Sequence, residues 1–277
     1  MGAAFRVPYG VAVTNDLLIL CYHAVDPAWP ADLCVSPDAL ERQLAELARA
    51  GYAGARFSDA LEERRGGRVV AITFDDSYRS VLELAKPLLD RHGFPGTVFV
   101  PTDWAGEQRP MRWDGIEQWL GTPHEHALRA LDWQELGELA DAGWEIGSHT
   151  CSHPHLPALG DDELAHELAA SKALIEERLS RPCTALAYPY GEVDARVQTA
   201  TRRAGYRWAG TIPRVLPPVH SLLWPRVPIY HGDDTRRFRT KISPPLRRLR
   251  ASPPGRALDR LRVSRTRGGA DGSGTAA

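Results

Sequence analysis

The chain has 277 residues, of which 43% are hydrophobic and 25% are charged, a composition typical of a folded globular protein and not of a disordered one. Its formal net charge is −1, so the chain as a whole is neither strongly basic nor strongly acidic. It has no apolar run of about 18 residues or more, which excludes a membrane-spanning helix, and no recognisable signal peptide, so we expect a cytoplasmic protein.

Strand-like runs alternate with helical segments along the chain. The first predicted strand spans 17–22, and Ser36 is placed to cap a helix that begins at Pro37 and ends at Gly51. The strands predicted after it are 69–74, 96–100, 144–148, 184–188 and 206–209, and the helices are 77–92 with a kink at Pro87, 132–143, 161–179 and 194–204. This alternation favours parallel strands, in either an open doubly wound sheet or a barrel. In both folds, functional side chains collect at the carboxyl ends of the strands.

Two pairs of polar side chains follow predicted strands at such ends. Asp75 and Asp76 come directly after strand 69–74, and His149 and His153 come after strand 144–148. One carboxylate with two imidazoles is a ligand set for a divalent metal that keeps open coordination positions. The second carboxylate is then available as a base for metal-assisted hydrolysis. Cys151 lies between the histidines, but its spacing places it away from the pair.

Cysteine usage gives a second indication of compartment. The four cysteines form no CxxC pair, and we expect free thiols in a reducing environment; they are Cys21, Cys34, Cys151 and Cys183.

Three segments resemble, in order and spacing, the central motifs of the polysaccharide deacetylases, carbohydrate esterase family 4. These segments are Thr73-Phe74-Asp75-Asp76-Ser77, Ser148-His149-Thr150-Cys151-Ser152-His153-Pro154-His155-Leu156 and Tyr188-Pro189-Tyr190-Gly191. The stretches Leu20-Cys21-Tyr22-His23-Ala24-Val25 and Trp224-Pro225-Arg226-Val227-Pro228-Ile229 are also similar to members of this group. The resemblance covers about residues 17–240.

The resemblance implies a single-domain α/β fold, a distorted (β/α)7 barrel, and a hydrolase that removes acetyl groups from N-acetylated amino sugars in a polysaccharide or a smaller glycoconjugate. Carried over by position, Asp76, His149 and His153 would hold the metal, with zinc as the leading expectation and cobalt, nickel or manganese as alternatives. Asp75 would be the general base that deprotonates the metal-bound water. The backbone N–H of Tyr190 would help to bind the oxyanion.

The chain departs from the family pattern in two places. Many members have an arginine three positions before the tyrosine of the third motif, where this chain has Ala187, and the fourth motif is not recognisable. For the general acid we prefer His231 over His220, because His231 follows the apolar run 227–230 that predicts a last strand; His23 is placed to face the site from the first strand. An O-acetyl glycan esterase and a non-catalytic carbohydrate-binding barrel are therefore retained as alternative functions.

The sequence predicts three regions: an N-terminal extension 1–16, a catalytic domain 17–240 and a basic tail 241–277. The tail has nine basic and two acidic residues, a balance of +7, and its proline and glycine content favours disorder. No aromatic residue interleaves its arginines, so no nucleic-acid partner is expected, whereas contact with an anionic membrane surface is a weaker alternative to a solvated tail. The expected partner is an N-acetylated sugar or glycan.

Overall fold

The computed structural model describes residues 16–62, 66–213, 215–217 and 219–268, and only the backbone beyond residue 261. The predicted N-terminal extension, apart from Asp16, and the last nine residues of the predicted tail lie outside the described residues. Within the described part, no helix is long and apolar enough to cross a membrane.

Parallel strands and surrounding helices make up the described part of the chain. The strands are β1 Asp16–Tyr22, β2 Ala24–Val25, β3 Cys34–Val35, β4 Tyr52–Ala55, β5 Arg68–Phe74, β6 Gly96–Val100, β7 Glu145–Ser148, β8 Ala185–Ala187, β9 Trp208–Thr211, β10 Trp224–Pro225 and β11 Val227–Pro228. The α-helices are α1 Pro37–Arg49, α2 Phe57–Glu62, α3 Lys86–His92, α4 Trp133–Asp141, α5 Asp161–Leu179, α6 Ala195–Arg203, α7 Thr235–Ile242, α8 Pro244–Ala251 and α9 Pro253–Gly268.

A single segment closes the sheet into a barrel. The strand order is β10, β9, β8, β7, β6, β5, β1 and β11. The short strand β4 pairs with the first half of β5, and β6 pairs with the second half. Only Arg226 separates β10, which pairs with β9, from β11, which pairs with β1. The two ends of the sheet therefore meet, which confirms the predicted barrel and excludes the open sheet.

The strands bury side chains on both faces. Alternate residues of β1 and β5, such as Leu18 and Ile72, pack with the surrounding helices, whereas Ile19 and Ala71 face a smaller cluster around Phe99 inside the barrel. Small residues leave room for large ones there: a Cβ at Gly147 would lie 2.6 Å from the Phe99 ring. The interior is thus a packed core, and the polar site lies above it at the carboxyl ends of the strands.

Most predicted helices appear where their capping residues indicate. Ser36 Oγ accepts from Ala39 N at 3.2 Å at the start of α1, and Asp132 forms a capping box with Glu135 at the start of α4. The predicted helix 77–92 differs, because Val81–Ala85 is a π-helical turn that leads into α3. Pro87 has no N–H, so it cannot donate the backbone hydrogen bond that a continuous α-helix would require at this position. The π-helical turn lies directly before it.

Residues 241–268 of the predicted tail include the end of α7 and helices α8 and α9. The paired prolines 244–245 and 253–254 lie in the first turns of α8 and α9, where a missing N–H costs nothing. Arg247 holds α8 on the barrel by donating to Leu17 O at 2.9 Å and pairing with Asp16. Proline therefore separates these helices and does not prevent them.

Candidate metal centre

Three buried side chains converge at the carboxyl ends of β5 and β7, the strands on either side of β6. Asp76 lies in the turn after β5, His149 follows β7, and His153 is four residues further along the same loop. Asp76 Oδ1 is 3.4 Å from the Nε2 atoms of both histidines, and the three potential ligand atoms lie within 4.8 Å of one another. The structure thus brings together the three residues that the sequence predicts as metal ligands.

The chemistry of this cluster fits a divalent cation. The Nδ1 atom of His149 is 2.8 Å from Ala187 O, which fixes the tautomer with the lone pair on Nε2 towards Asp76. Burial lowers the pKa of His153 to about 3, so its imidazole is neutral, as a ligand must be. Asp76 Oδ1 is buried without a hydrogen-bond partner among the described residues. Such an oxygen is costly to bury unless a cation or donor meets it.

Left-handed backbone conformations concentrate around the cluster. Among the described residues, five of the six non-glycine residues with positive φ are in or beside it, namely Asp76, Ser77, Thr150, His153 and Tyr190, with φ between 52° and 70°. Each such conformation costs on the order of 1 kcal/mol or more, and packing must maintain it. The turns that aim the ligands inward are therefore held by the rest of the barrel.

Glu167 of α5 holds the loop between the two histidines. Its Oε2 accepts from the backbone N–H groups of Cys151 and Ser152 at 2.8 and 3.0 Å, and its Oε1 accepts from Ser152 Oγ at 2.6 Å. Cys151 itself points away from the cluster, since its Sγ lies 3.6 Å from Glu167 O. The prediction that Cys151 is not a ligand thus agrees with its position, whereas the contribution of Glu167 was not predicted.

A buried ion pair fixes the second carboxylate. Arg226 Nη1 and Nη2 donate to Asp75 Oδ1 and Oδ2 at 2.6 and 2.7 Å, and both side chains are almost completely buried. Burial opposes ionisation of Asp75, but the charge and hydrogen bonds of Arg226, together with the adjacent histidines, hold the pKa of that carboxyl well below its ordinary value. Asp75 Oδ2 also lies 3.9 Å from His149 Nε2, so an ionised carboxylate adjoins the cluster.

Position 187, where the family resemblance implies an arginine, is an alanine, and the guanidinium that contacts Asp75 comes from Arg226. Ala187 is buried inside the barrel, and the guanidinium group lies 5.3 Å from the centre of the Phe99 ring. Gly210 provides the space, because a Cβ there would lie 2.8 Å from Arg226 Cδ. The sequence carried a signal for this role, since Arg226 is the one charged residue in the apolar run 222–230.

The Tyr190 turn lies on the other side of the cluster. Its backbone is left-handed, with φ 57°, and its ring stacks on His155 with centroids 3.9 Å apart and contacts the His153 ring at 4.7 Å. Gly191 also has positive φ, and a Cβ there would lie 2.7 Å from Ile212 N, so only glycine fits. The turn is therefore closely packed, with the Tyr190 ring against His153.

A cavity of about 720 Å³ adjoins these residues. It is lined in part by His23, Asp32, Trp119, Tyr190 and Tyr230. The Nδ1 atom of His23 is buried without a hydrogen-bond partner among the described residues, and one ring nitrogen lies within 4.8 Å of a carboxylate oxygen of Asp75. A ligand in this cavity would thus meet His23 and Tyr190, which lie beside Asp75 and His153 respectively.

The structure does not bring His231 or His220 to this cavity. His231 is exposed, its Nδ1 lies 3.3 Å from O of Cys34 in β3, and its N–H donates to Asp32 O on the loop before β3. Neighbouring side chains of an extended segment point to opposite sides. Tyr230 lines the cavity, so the side chain of His231 points away from it. His220 is also exposed and lies before β10, where the adjacent Ser221 O accepts from Ala209 N.

A parallel barrel with a buried carboxylate–histidine cluster and a second carboxylate at the ends of its strands is an arrangement suited to metal-assisted hydrolysis. The polysaccharide deacetylase family profile matches residues 62–209, which is more than half of the chain. The chain therefore belongs to the polysaccharide deacetylase family, and the predicted membership is confirmed.

Individual relatives agree with this assignment. The chain is 26% identical over 200 residues to YxkH of Bacillus subtilis, whose name places it among the polysaccharide deacetylases, covering 70% of this chain and 64% of that protein. It is 25% identical over 150 residues to a poly-β-1,6-N-acetyl-D-glucosamine N-deacetylase of Staphylococcus aureus, covering 51% of this chain and 47% of that protein. A solved polysaccharide deacetylase of Bacillus cereus has a TM-score of 0.67 at 26% identity and covers 82% of this chain and 69% of that one. The chain thus spans about two thirds or less of each curated relative.

Proposed function

We propose that this chain is a metal-dependent hydrolase that removes the acetyl group from N-acetylated amino sugars of a glycan or glycoconjugate. The observation that carries the proposal is the buried Asp76–His149–His153 cluster beside a second carboxylate that is oriented by an arginine. Two imidazoles and one carboxylate suit zinc, and cobalt, nickel or manganese also accept this set.

Asp75 is proposed as the general base. Its two oxygens are held by Arg226, and one lies 3.9 Å from a ligand nitrogen, within reach of a water that adjoins the cluster. A bound divalent metal supplies Lewis-acid polarisation of the acetyl carbonyl and makes the attacking water more acidic. Asp75 takes the proton of that water, and the N–H of Tyr190 donates to the oxygen on which negative charge develops.

We assign the general acid to His23 and no longer to His231. The leaving nitrogen must gain a proton when the C–N bond breaks, and the donor must therefore lie beside the reacting atoms. His23 lines the cavity next to Asp75, whereas the ring of His231 contacts Cys34 in β3. Protonated His23 would give its proton to the amine, and free acetate and a free amino sugar would result.

The walls of the cavity favour a sugar ring as the ligand. Trp119, Tyr190 and Tyr230 all line it, and aromatic faces pack well on the apolar faces of pyranose rings. The similarity to a relative named for poly-β-1,6-N-acetyl-D-glucosamine supports an N-acetylglucosamine polymer or oligomer as the substrate class.

Acetate release from N-acetylglucosamine oligomers, compared with an O-acetylated glycan, tests the proposed reaction. The protein is stripped of metal and assayed with and without added zinc or cobalt. We expect release from the N-acetyl compounds only when metal is returned. Preferential release from the O-acetylated glycan would instead identify an esterase, and metal binding without release from any compound would contradict the hydrolase.

The acid assignment has a matched pair of variants. His23→Asn should lower kcat by about 10²–10⁴-fold, because a general acid is lost. His231→Asn is the control and should leave kcat close to that of the wild type. The opposite pattern would restore His231 as the acid.

A further inference from the structure

The exposed large hydrophobic side chains of this protein gather on two helices. Of the six that the described residues expose, four lie in α8 and α9, namely Leu246, Leu249, Leu258 and Leu261, at 41–59% exposure. Leu246 and Leu249 are three residues apart and therefore lie on one face of α8. Such a concentration marks an interaction surface, since scattered exposed leucines need no explanation but a cluster does.

Positive charge surrounds these leucines. From 244 to 261, the part of α8 and α9 whose side chains are described, the sequence has five arginines and one acidic residue, Asp259. Arg247 pairs with Asp16, and Arg250 pairs with Asp259 at 3.4 Å. Arg248 and Arg260 are exposed beside the leucines. The surface of α8 and α9 thus combines exposed leucines with exposed arginines, on a chain whose net charge is −1.

The two helices are fixed to the barrel and to each other. Arg247 holds α8 on Asp16 and Leu17, as described above. At the crossing of the helices, a Cβ on Gly255 would lie 2.2 Å from Leu249 O, so the backbones are in close contact. The exposed leucines therefore lie on the outer side of a packed pair of helices.

We propose that α8 and α9 form a docking surface for an anionic lipid bilayer. Leucines on a helix that lies in the membrane interface enter the acyl boundary, and arginines around them contact the anionic headgroups. A nucleic acid would neutralise the arginines but offers no apolar phase to the leucines. A second copy of this face would bring arginines of equal charge together, which disfavours self-association.

This docking would leave the metal cluster accessible. Asp16, which anchors α8, is at the amino end of β1 and in register with Arg68 at the amino end of β5. Asp76 follows the carboxyl end of β5, so the docking surface and the cluster lie at opposite ends of the barrel. A docked protein would therefore turn its cavity away from the bilayer, towards glycans in the adjoining solution.

Sedimentation with lipid vesicles tests the proposal on the intact chain. We expect binding to vesicles of phosphatidylcholine and phosphatidylglycerol in equal parts, little binding to phosphatidylcholine alone, and a decrease with added salt. Arg248→Gln with Arg260→Gln should lower the partition coefficient about tenfold or more, because two cations are removed from the surface. Leu249→Ser with Leu258→Ser should also lower it about tenfold or more, because apolar area is lost.

The control is Arg202→Gln with Arg203→Gln, which removes the same charge from an exposed part of α6 and should not change binding. Circular dichroism and thermal melting establish that each variant is folded. Absence of binding to phosphatidylglycerol vesicles, or equal binding by wild type and both α8–α9 variants, would overturn the proposal. Retention of duplex DNA, or dimerisation, that depends on these residues in place of vesicle binding would overturn it equally and identify another partner.

Discussion

Breaking the ion pair between Arg226 and Asp75 should lower both the stability and the activity of the protein. Arg226→Met keeps most of the side-chain volume but removes the charge and both hydrogen bonds to Asp75. The carboxylate, with a side chain only 2% exposed, would then be buried without its partner. Breaking a buried pair in this way costs about 3–5 kcal/mol of unfolding free energy. Loss of a correctly oriented base should lower kcat/KM by about 10²–10⁴-fold.

Two further variants separate charge from geometry. Arg226→Lys retains a positive charge but not the two parallel hydrogen bonds, so we expect intermediate activity. Asp75→Asn with Arg226→Met removes both members of the pair, and its stability should exceed that expected from adding the two single effects. Chemical denaturation and acetate release measure these quantities.

A rescue experiment asks whether Arg226 stands in for the arginine that other family members have at the position of Ala187. Arg226→Ala vacates the interior beside Phe99, and Ala187→Arg, added to it, returns a guanidinium from β8. Partial recovery of kcat/KM is expected in the double variant. The reasoning would be refuted if Arg226→Met kept both the stability and the kcat/KM of the wild type to within about threefold.

Three other perturbations address separate parts of the site and the barrel. Glu167→Ala removes the hydrogen bonds that hold the loop between His149 and His153, so it should weaken metal affinity about 10–100-fold, as measured by competition with a chelator. Glu177→Ala on the same helix is the control and should leave the affinity unchanged. Equal metal affinities of the two variants would contradict the role of Glu167. Gly191→Ala places a Cβ 2.7 Å from Ile212 N and should reduce kcat without loss of bound metal; unchanged kcat would show that the Tyr190 turn does not contribute. Burial raises the pKa of Glu145 above its ordinary value of 4.5, so folding favours the protonated form, and the free energy of unfolding should fall as pH rises above that value. Glu145→Gln should lose less unfolding free energy over the same pH range. Parallel pH profiles of wild type and variant would refute this.

The convergence of the three candidate ligands was predictable because Asp76 and His149 each stand next to a strong local signal. Asp76 and His149 directly follow apolar runs that form strands, and parallel strands in one barrel bring their carboxyl ends together. The helix boundaries at Ser36 and Asp132 were also predictable, since a capping side chain acts within one turn.

What was missed depends on pairing across the fold. Arg226 lies about 150 residues from its partner Asp75 along the chain, and only closure of the barrel by β10 and β11 brings them together. His231 was expected to face the site, but its ring contacts Cys34 instead. Which side a side chain takes reverses with a shift of one residue along a strand, and the sequence alone does not set that register. The tail was predicted to be disordered from composition, which does not show that Arg247 and Gly255 anchor its helices.

The most direct test of the account is Asp75→Asn, measured for acetate release, zinc content and binding of an N-acetylglucosamine oligomer. If Asp75 is the base of a metal-dependent deacetylase, release is abolished while zinc and oligomer remain bound, because Asp76, His149 and His153 are untouched. If the variant releases acetate at the wild-type rate, or if the wild type binds zinc and oligomer without releasing acetate, the barrel does not use this carboxylate for hydrolysis and the central claim fails.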